Sequence, residues 1–303
     1  MIPVRNDVPR PGREILVLRH HELKKGAHEE FYRISRDDYW PYFERLGARV
    51  VGQWKSYAPA CVDSDDVYRL VRYASFEHWE ATRADRAHRL IAGDGPARAK
   101  AQQALAERAR LEIGSRGAYF LQGGPPPDAP LFMPALAERY ELAAAASPAA
   151  SPGERPVRLD LARPADEIVE LRHRKIRKGC FGRVEDATRS ALWPWEAKLG
   201  ARPIGQWLVI HPAAAGGTAD NADYDEVIAL TRYASPEHRA AMGADRAVEL
   251  GGNGPDWRAW SEALRTLDSL TISTRIELMR GHLRHGPPIY LPALPERYVR
   301  KPE

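Results

Sequence analysis

WPYFERLGARVVGQW, residues Trp40 to Trp54, returns later in the chain as WPWEAKLGARPIGQW, residues Trp193 to Trp207. Self-similarity that keeps rare, bulky residues in register defines a repeat architecture before any helix or strand is assigned. Upstream, EILVLRHHEL (Glu14 to Leu23) matches EIVELRHRKI (Glu167 to Ile176) at an offset of 153. Downstream, VYRLVRYA (Val67 to Ala74) matches VIALTRYA (Val227 to Ala234) at an offset of 160, because the second copy inserts HPAAAGGTADNAD between its middle strands. Small residues of that kind predict a surface loop. Even the tails repeat, as LFMPALAERY (Leu131 to Tyr140) and IYLPALPERY (Ile289 to Tyr298).

Each copy reads as a strand, a turn at Lys25-Gly26 or Lys178-Gly179, and a helix over about 28–46 or 183–199 with Pro41 or Pro194 inside it. Proline removes a donor and clashes with the preceding turn, so each helix should kink or restart there. Gly47 and Gly200 supply a C-terminal stop. Two further strands follow, then Ser75 or Ser235 as an N-cap, a second helical region through Asp85-Arg86 or Asp245-Arg246, and a last strand near 111–121 or 270–280. The order β-α-β-β-α-β is the ferredoxin-like split unit. Its sheet carries helices on one face only, and a second copy is the economical cover for the other. The expectation is therefore an α+β protein: a first repeat over 1–142, an Ala/Ser/Pro linker over 143–156 and a second repeat over 157–303. Together the repeats would form a fused, intramolecular dimeric α/β-barrel, with a homodimer of that barrel left open.

The chain has 303 residues, 44% hydrophobic and 28% charged, which suits a globular protein of about two domains. It has no apolar run of membrane-spanning length. The opening MIPVRNDVPRPGRE has no apolar signal core, which leads to a cytoplasmic expectation. The net charge is +4, but 45 basic residues are interleaved with 41 acidic ones, so no nucleic-acid partner is expected. Cys61 and Cys180 stand at non-equivalent positions without metal spacing, and His282-x-x-His285 lacks a third ligand, so no disulfide and no metal are expected.

The chain resembles the NIPSNAP family of dimeric α/β-barrel proteins, and does so twice. Glu170-Leu171-Arg172 stands where that family has its first-strand ELR, Gly205-Gln206-Trp207 matches its Gly-x-Trp strand, and Leu230 to Ser235 with Arg239 matches its L-W-x-Y-x-S segment and following Arg. The first copy departs, with Val17 for the Glu and Trp79 for the Arg, and both copies lack the Trp of L-W-x-Y, having Val71 and Thr231. The resemblance implies a barrel of two four-stranded sheets and little about chemistry.

Strand alternation sorts the side chains onto two faces. Leu16, Leu18 and His20, with Val169, Leu171 and His173, are assigned to the face under the helices, together with Arg72 and Arg232. Arg19, Tyr73, Glu170, Arg172 and Tyr233 are assigned to the barrel interior, where they form either an inter-sheet polar network or an anion-binding cavity. His20, Arg72 and His78, copied as His173, Arg232 and His238, are the candidate catalytic cluster: an imidazole base beside a guanidinium that holds an enolate or carboxylate. Against this stands a structural role for all four histidines. Trp54 and Trp207 are either core or the wall of an aromatic ligand pocket. The leading functional expectation is a small-molecule enzyme without cofactor, of proton-transfer, cyclase, isomerase or oxygenase type, acting on a largely apolar or aromatic substrate. The alternatives are a non-catalytic ligand-binding or protein-interaction module and, by analogy across barrel proteins, a haem enzyme.

Overall fold

The computed structural model describes residues 15–46, 48–58, 62–73, 75–83, 95–122, 167–212, 223–243 and 252–282. The chain divides into two compact units: 1–129 with 210–217 and 281–303, and 130–209 with 218–280. Gly47, the helices expected through Asp85-Arg86 and Asp245-Arg246, the linker at 143–156, both tails and most of the second-copy insertion lie outside the described residues.

In the first unit the order is β1 (Ile15–Lys24), α1 (His28–Ile34), a π-turn (Ser35–Tyr39), α2 (Trp40–Arg45), β2 (Arg49–Ala58), β3 (Ser64–Tyr73), α3 (Phe76–Ala81), α4 (Pro96–Leu111) and β4 (Glu112–Gln122). The second runs β5 (Ile168–Arg177), α5 (Phe181–Ala187), a π-turn (Thr188–Leu192), α6 (Trp193–Lys198), β6 (Arg202–Ile210), β7 (Tyr224–Tyr233), α7 (Pro236–Ala241), α8 (Pro255–Leu270) and β8 (Thr271–His282). The last residue of β6 and the last two of β8 are counted with the first unit. The fold is mixed α+β. The antiparallel order in the first unit is β4-β1-β3-β2. In the second it is β8-β5-β7-β6.

The turn after each first strand needs its glycine. Gly26 and Gly179 sit at φ +82° and +73°, a region closed to most side chains. Their N–H groups donate to Asp65 Oδ2 at 3.0 Å and Asp225 Oδ2 at 2.8 Å. The helix restart expected at the prolines is a π-turn. Trp40 N–H reaches back to Ser35 O and Trp193 N–H to Thr188 O, one residue farther than in an α-helix. The wider turn sets the proline ring at the start of a fresh helix. Both N-caps form: Ser75 Oγ accepts from His78 N–H at 3.1 Å and Ser235 Oγ from His238 N–H at 3.0 Å.

The two faces of each sheet are assigned the opposite way from the sequence expectation. Ile15, Val17, Val71, Tyr73 and Val50 pack in one cluster with Tyr32, Ile34, Tyr39 and Trp40 of the helices. Ile176 and Val227 likewise pack with Val184, Leu192, Trp195 and Trp260. The residues alternating with them therefore turn away from the helices: Leu16, Leu18, His20 and Arg72, and Val169, Leu171, His173 and Arg232. Arg19, Tyr73, Glu170, Arg172 and Tyr233, expected in the barrel interior, lie under the helices. Leu16, Leu18 and Leu70 are nonetheless fully buried. A strand apolar on both faces carries no alternation that tells one side from the other.

Candidate functional site between sheet and helices

In the second unit the helix-covered face of β5 reads Ile168, Glu170, Arg172, Arg174 and Ile176, an unusual charged centre between apolar ends. Glu170 is 2% exposed. Its Oε2 accepts from Arg239 Nε–H at 2.8 Å, and its Oε1 pairs with Arg172 Nη2. Two guanidinium groups thus pair with Glu170, and charge-assisted pairing of this kind offsets the cost of burying a carboxyl group. Arg239 stands in the first turn after the β7 strand, on α7, where the Ser235 cap sets the helix direction.

A second carboxyl, that of Glu196, faces the same group from α6. Burial pushes it up to about 7, Arg172 and Arg174 pulling it back and Glu170 pushing it further up. Burial also raises the Tyr233 phenol, with Glu196 and Glu170 adding to the rise. Arg174 is lowered to about 10 by burial and by the like charge of Arg172. A carboxyl that titrates near neutrality, set beside a second carboxyl already paired with two guanidinium groups, is an arrangement that general acid–base chemistry can use.

The first unit presents a different surface at the equivalent place. Val17 stands for Glu170, Phe43 for Glu196 and Trp79 for Arg239. Three positions exchange apolar for charged residues together, as side chains that meet one another must. That pattern is legible in the aligned repeats and is the signal by which Glu196 and Arg239 could have been found. Trp79 packs edge-on to Phe120 with ring centroids 4.8 Å apart, filling apolar space where Arg239 makes its ion pair. Beside this wall a cleft of about 240 Å³ is lined by Tyr39, Tyr42, Phe43, Thr82, Arg83, Arg98, Ala101, Gln102 and Leu105. Tyr39 is placed there by the π-turn.

The expected catalytic clusters do not assemble. His20 lies opposite Tyr68 in the β1–β3 register whereas Arg72 lies opposite Leu16, four residues or roughly 13 Å along the strand. His20 Nε2 is 2.8 Å from Asp66 Oδ1, and its ring stacks on Tyr68. His78 is fully buried, its Nε2 2.7 Å from Leu46 O, its ring edge-on to Tyr73. In the second unit His173 pairs with Glu226 at 2.6 Å and Arg232 with Glu167. His238 Nδ1 accepts from Ala234 N–H at 3.1 Å, which leaves Nε2–H to donate to Leu199 O at 2.9 Å. That imidazole is neutral and bonded at both nitrogens, a latch between the strand end and the end of α6. Trp54 and Trp207 are 1% and 0% exposed. They lie opposite Tyr68 and Ile228, on the face away from the helices.

No protein-family model and no curated protein matches the chain. Solved structures do. A candidate monooxygenase from Lactobacillus acidophilus aligns at 10% identity, over 89% of this chain and 94% of its own, with a TM-score of 0.49. An uncharacterised NIPSNAP-like domain protein from Burkholderia xenovorans aligns at 18% identity over 41% of this chain and 91% of its own, with a TM-score of 0.28. A NIPSNAP family protein from Agrobacterium tumefaciens aligns at 23% identity over 38% and 84%, with a TM-score of 0.26. NIPSNAP structures are among the matches of a chain whose motifs resemble that family.

Proposed function

We propose that the chain is a small-molecule enzyme of proton-transfer type whose acid–base group is Glu196. The observation that supports this reading is the charged group under the second unit's helices. Glu170 is paired with Arg172 and Arg239, while Glu196 beside it is raised by burial to titrate near neutrality. A carboxyl poised near the working pH both accepts and returns a proton efficiently. Arg172 and Arg174 stand where an enolate or carboxylate developing on the substrate would gain from fixed positive charge. The substrate class that fits is an enolisable carbonyl compound with an apolar or aromatic body, since Tyr233 and the surrounding core offer little else to bind.

The test is solvent exchange at the substrate carbon. Phenylpyruvate and benzoylacetate are incubated with the protein in deuterium oxide, and loss of the α-proton signal is followed by NMR. Wild type should accelerate exchange over buffer, and Glu196→Gln should lose about a hundredfold or more of that acceleration. Arg232→Gln, on the opposite face, should keep it within a few-fold. Acceleration that survives Glu196→Gln overturns the assignment. Binding of both probes without acceleration favours the non-catalytic ligand-binding alternative.

A further inference from the structure

Under the helices of the first unit, three arginines converge with one carboxylate among them. Arg19 and Arg69 are direct cross-strand partners, and Gln53 is the partner of Arg69 on its other side. The three therefore stand in one row on the helix-covered face, with neighbouring Cβ atoms about 5 Å apart by sheet geometry. Arg108 descends on them from α4, its guanidinium 4.3 Å from the Phe31 ring centroid and 4.9 Å from that of Tyr39.

Like charges directly opposed in a sheet are destabilising, and beside the half-buried Arg19 the others are buried: Arg69 is 6% exposed, Arg108 2% and Gln53 0%. Arg69 Nε and Nη1, Arg108 Nε and both amide atoms of Gln53 have no hydrogen-bond partner. The groups facing them are few. From β4 comes Glu112, its side chain 25% exposed and 3.3 Å from His21 Nδ1. His21 of β1 is lowered to about 3 by burial and so is neutral. The Tyr73 phenol, raised by burial, is also neutral, and Tyr39 faces the same group. Among the described residues the set carries two more positive than negative charges. The Phe31 and Tyr39 rings offset part of this charge at Arg108, and an anionic partner that the guanidinium forks can grip would offset the rest.

We propose that Arg69, Arg108, Arg19 and Gln53 form a buried anion subsite that takes the carboxylate of a small aromatic acid. The planar guanidinium fork suits a carboxylate. Phe31 and Tyr39 flank Arg108 with ring faces, and Tyr39 also lines the cleft shared with Arg83 and Arg98. The second unit has no such subsite. Ala229 stands for Arg69 and Leu267 for Arg108. Gln206 there has one partner, Thr188 Oγ1–H donating to its Oε1 at 3.3 Å, and only its Nε2 is left without one. The proposal is independent of the one made for Glu196.

The experiment is calorimetry and thermal melting of the full chain with benzoate, phosphate and chloride as separate arms. Benzoate should bind in a one-to-one ratio and raise the melting temperature, more strongly than either inorganic anion. Arg69→Met and Arg108→Met should each weaken benzoate at least tenfold. Because each removes an unpaired buried charge, each should also melt higher than wild type when no binding anion is present. Arg189→Gln, which removes an i,i+4 helix pair with Glu185 in the second unit, should leave benzoate affinity unchanged. Equal benzoate affinity in wild type and both variants overturns the subsite, as does binding of none of the three anions. Tighter binding of phosphate than benzoate overturns the aromatic-acid assignment.

Discussion

Glu196→Gln keeps the shape of the side chain and removes its titration. In the folded chain the carboxyl is raised from 4.5 to about 7, first by burial, then by Glu170, with Arg172 opposing. The difference is about two and a half pH units at about 1.36 kcal/mol each. Holding this group ionised thus costs about 3 kcal/mol at alkaline pH, to order of magnitude. The sign follows from proton binding. Between pH 4.5 and 7 the folded state binds more protons than the unfolded one, so the stability from this group is full below 4.5 and falls as pH rises to 7. Glu196→Gln should therefore be more stable than wild type at pH 8 by up to about 3 kcal/mol, with the gap closing towards pH 4.5. Urea unfolding of both proteins at pH 4.5, 5.5, 6.5 and 8 reads this directly. No gap at pH 8, or a gap that widens towards acid, refutes the placement of Glu196 in a desolvated site.

His21 should show the opposite slope. Its imidazole is lowered from 6.5 to about 3 by burial, so stability present above pH 6.5 is lost as pH falls through that window, and His21→Leu should reduce the acid sensitivity in the same unfolding series. At Gly52 an added Cβ would lie 2.3 Å from Trp54 Cζ2. Gly52→Ala should destabilise by at least about 1–3 kcal/mol, measured by thermal melting, because the Trp54 ring has to move. Residues 1–142 and 157–303 expressed separately should self-associate in sedimentation, since Leu16, Leu18 and Leu70 lie on the sheet face that their own helices leave bare. Soluble monomeric halves would count against the fused-barrel expectation.

The strand order, the restart at Pro41 and Pro194 and the Ser75 and Ser235 caps were legible in the sequence, because each rests on local chemistry. Which side of β1 and β5 faces the helices was not. Leu16 and Leu18 on one side and Ile15 and Val17 on the other are equally apolar, so alternation fixes the period but not its phase. That one ambiguity sent His20 and Arg72 to the helix side and Arg19 and Arg172 to the interior. Arg69, Arg108 and Gln53 escaped notice because their grouping depends on cross-strand register and on the descent of α4, neither of which a linear spacing reveals. Glu196 sits in an otherwise ordinary helical WPWEAK, and only comparison with Phe43 in the other copy marks it.

Most rests on Glu196 as a partly buried acid beside the paired side chain of Glu170. Carbon-detected NMR of the full chain labelled at glutamate side-chain carboxyls follows its titration, with Glu196→Gln identifying the resonance. A midpoint near 7 is predicted, moving higher in Arg172→Gln because a neighbouring positive charge is lost. A midpoint at the ordinary 4–4.5 of an exposed glutamate, unmoved by Arg172→Gln, would contradict it.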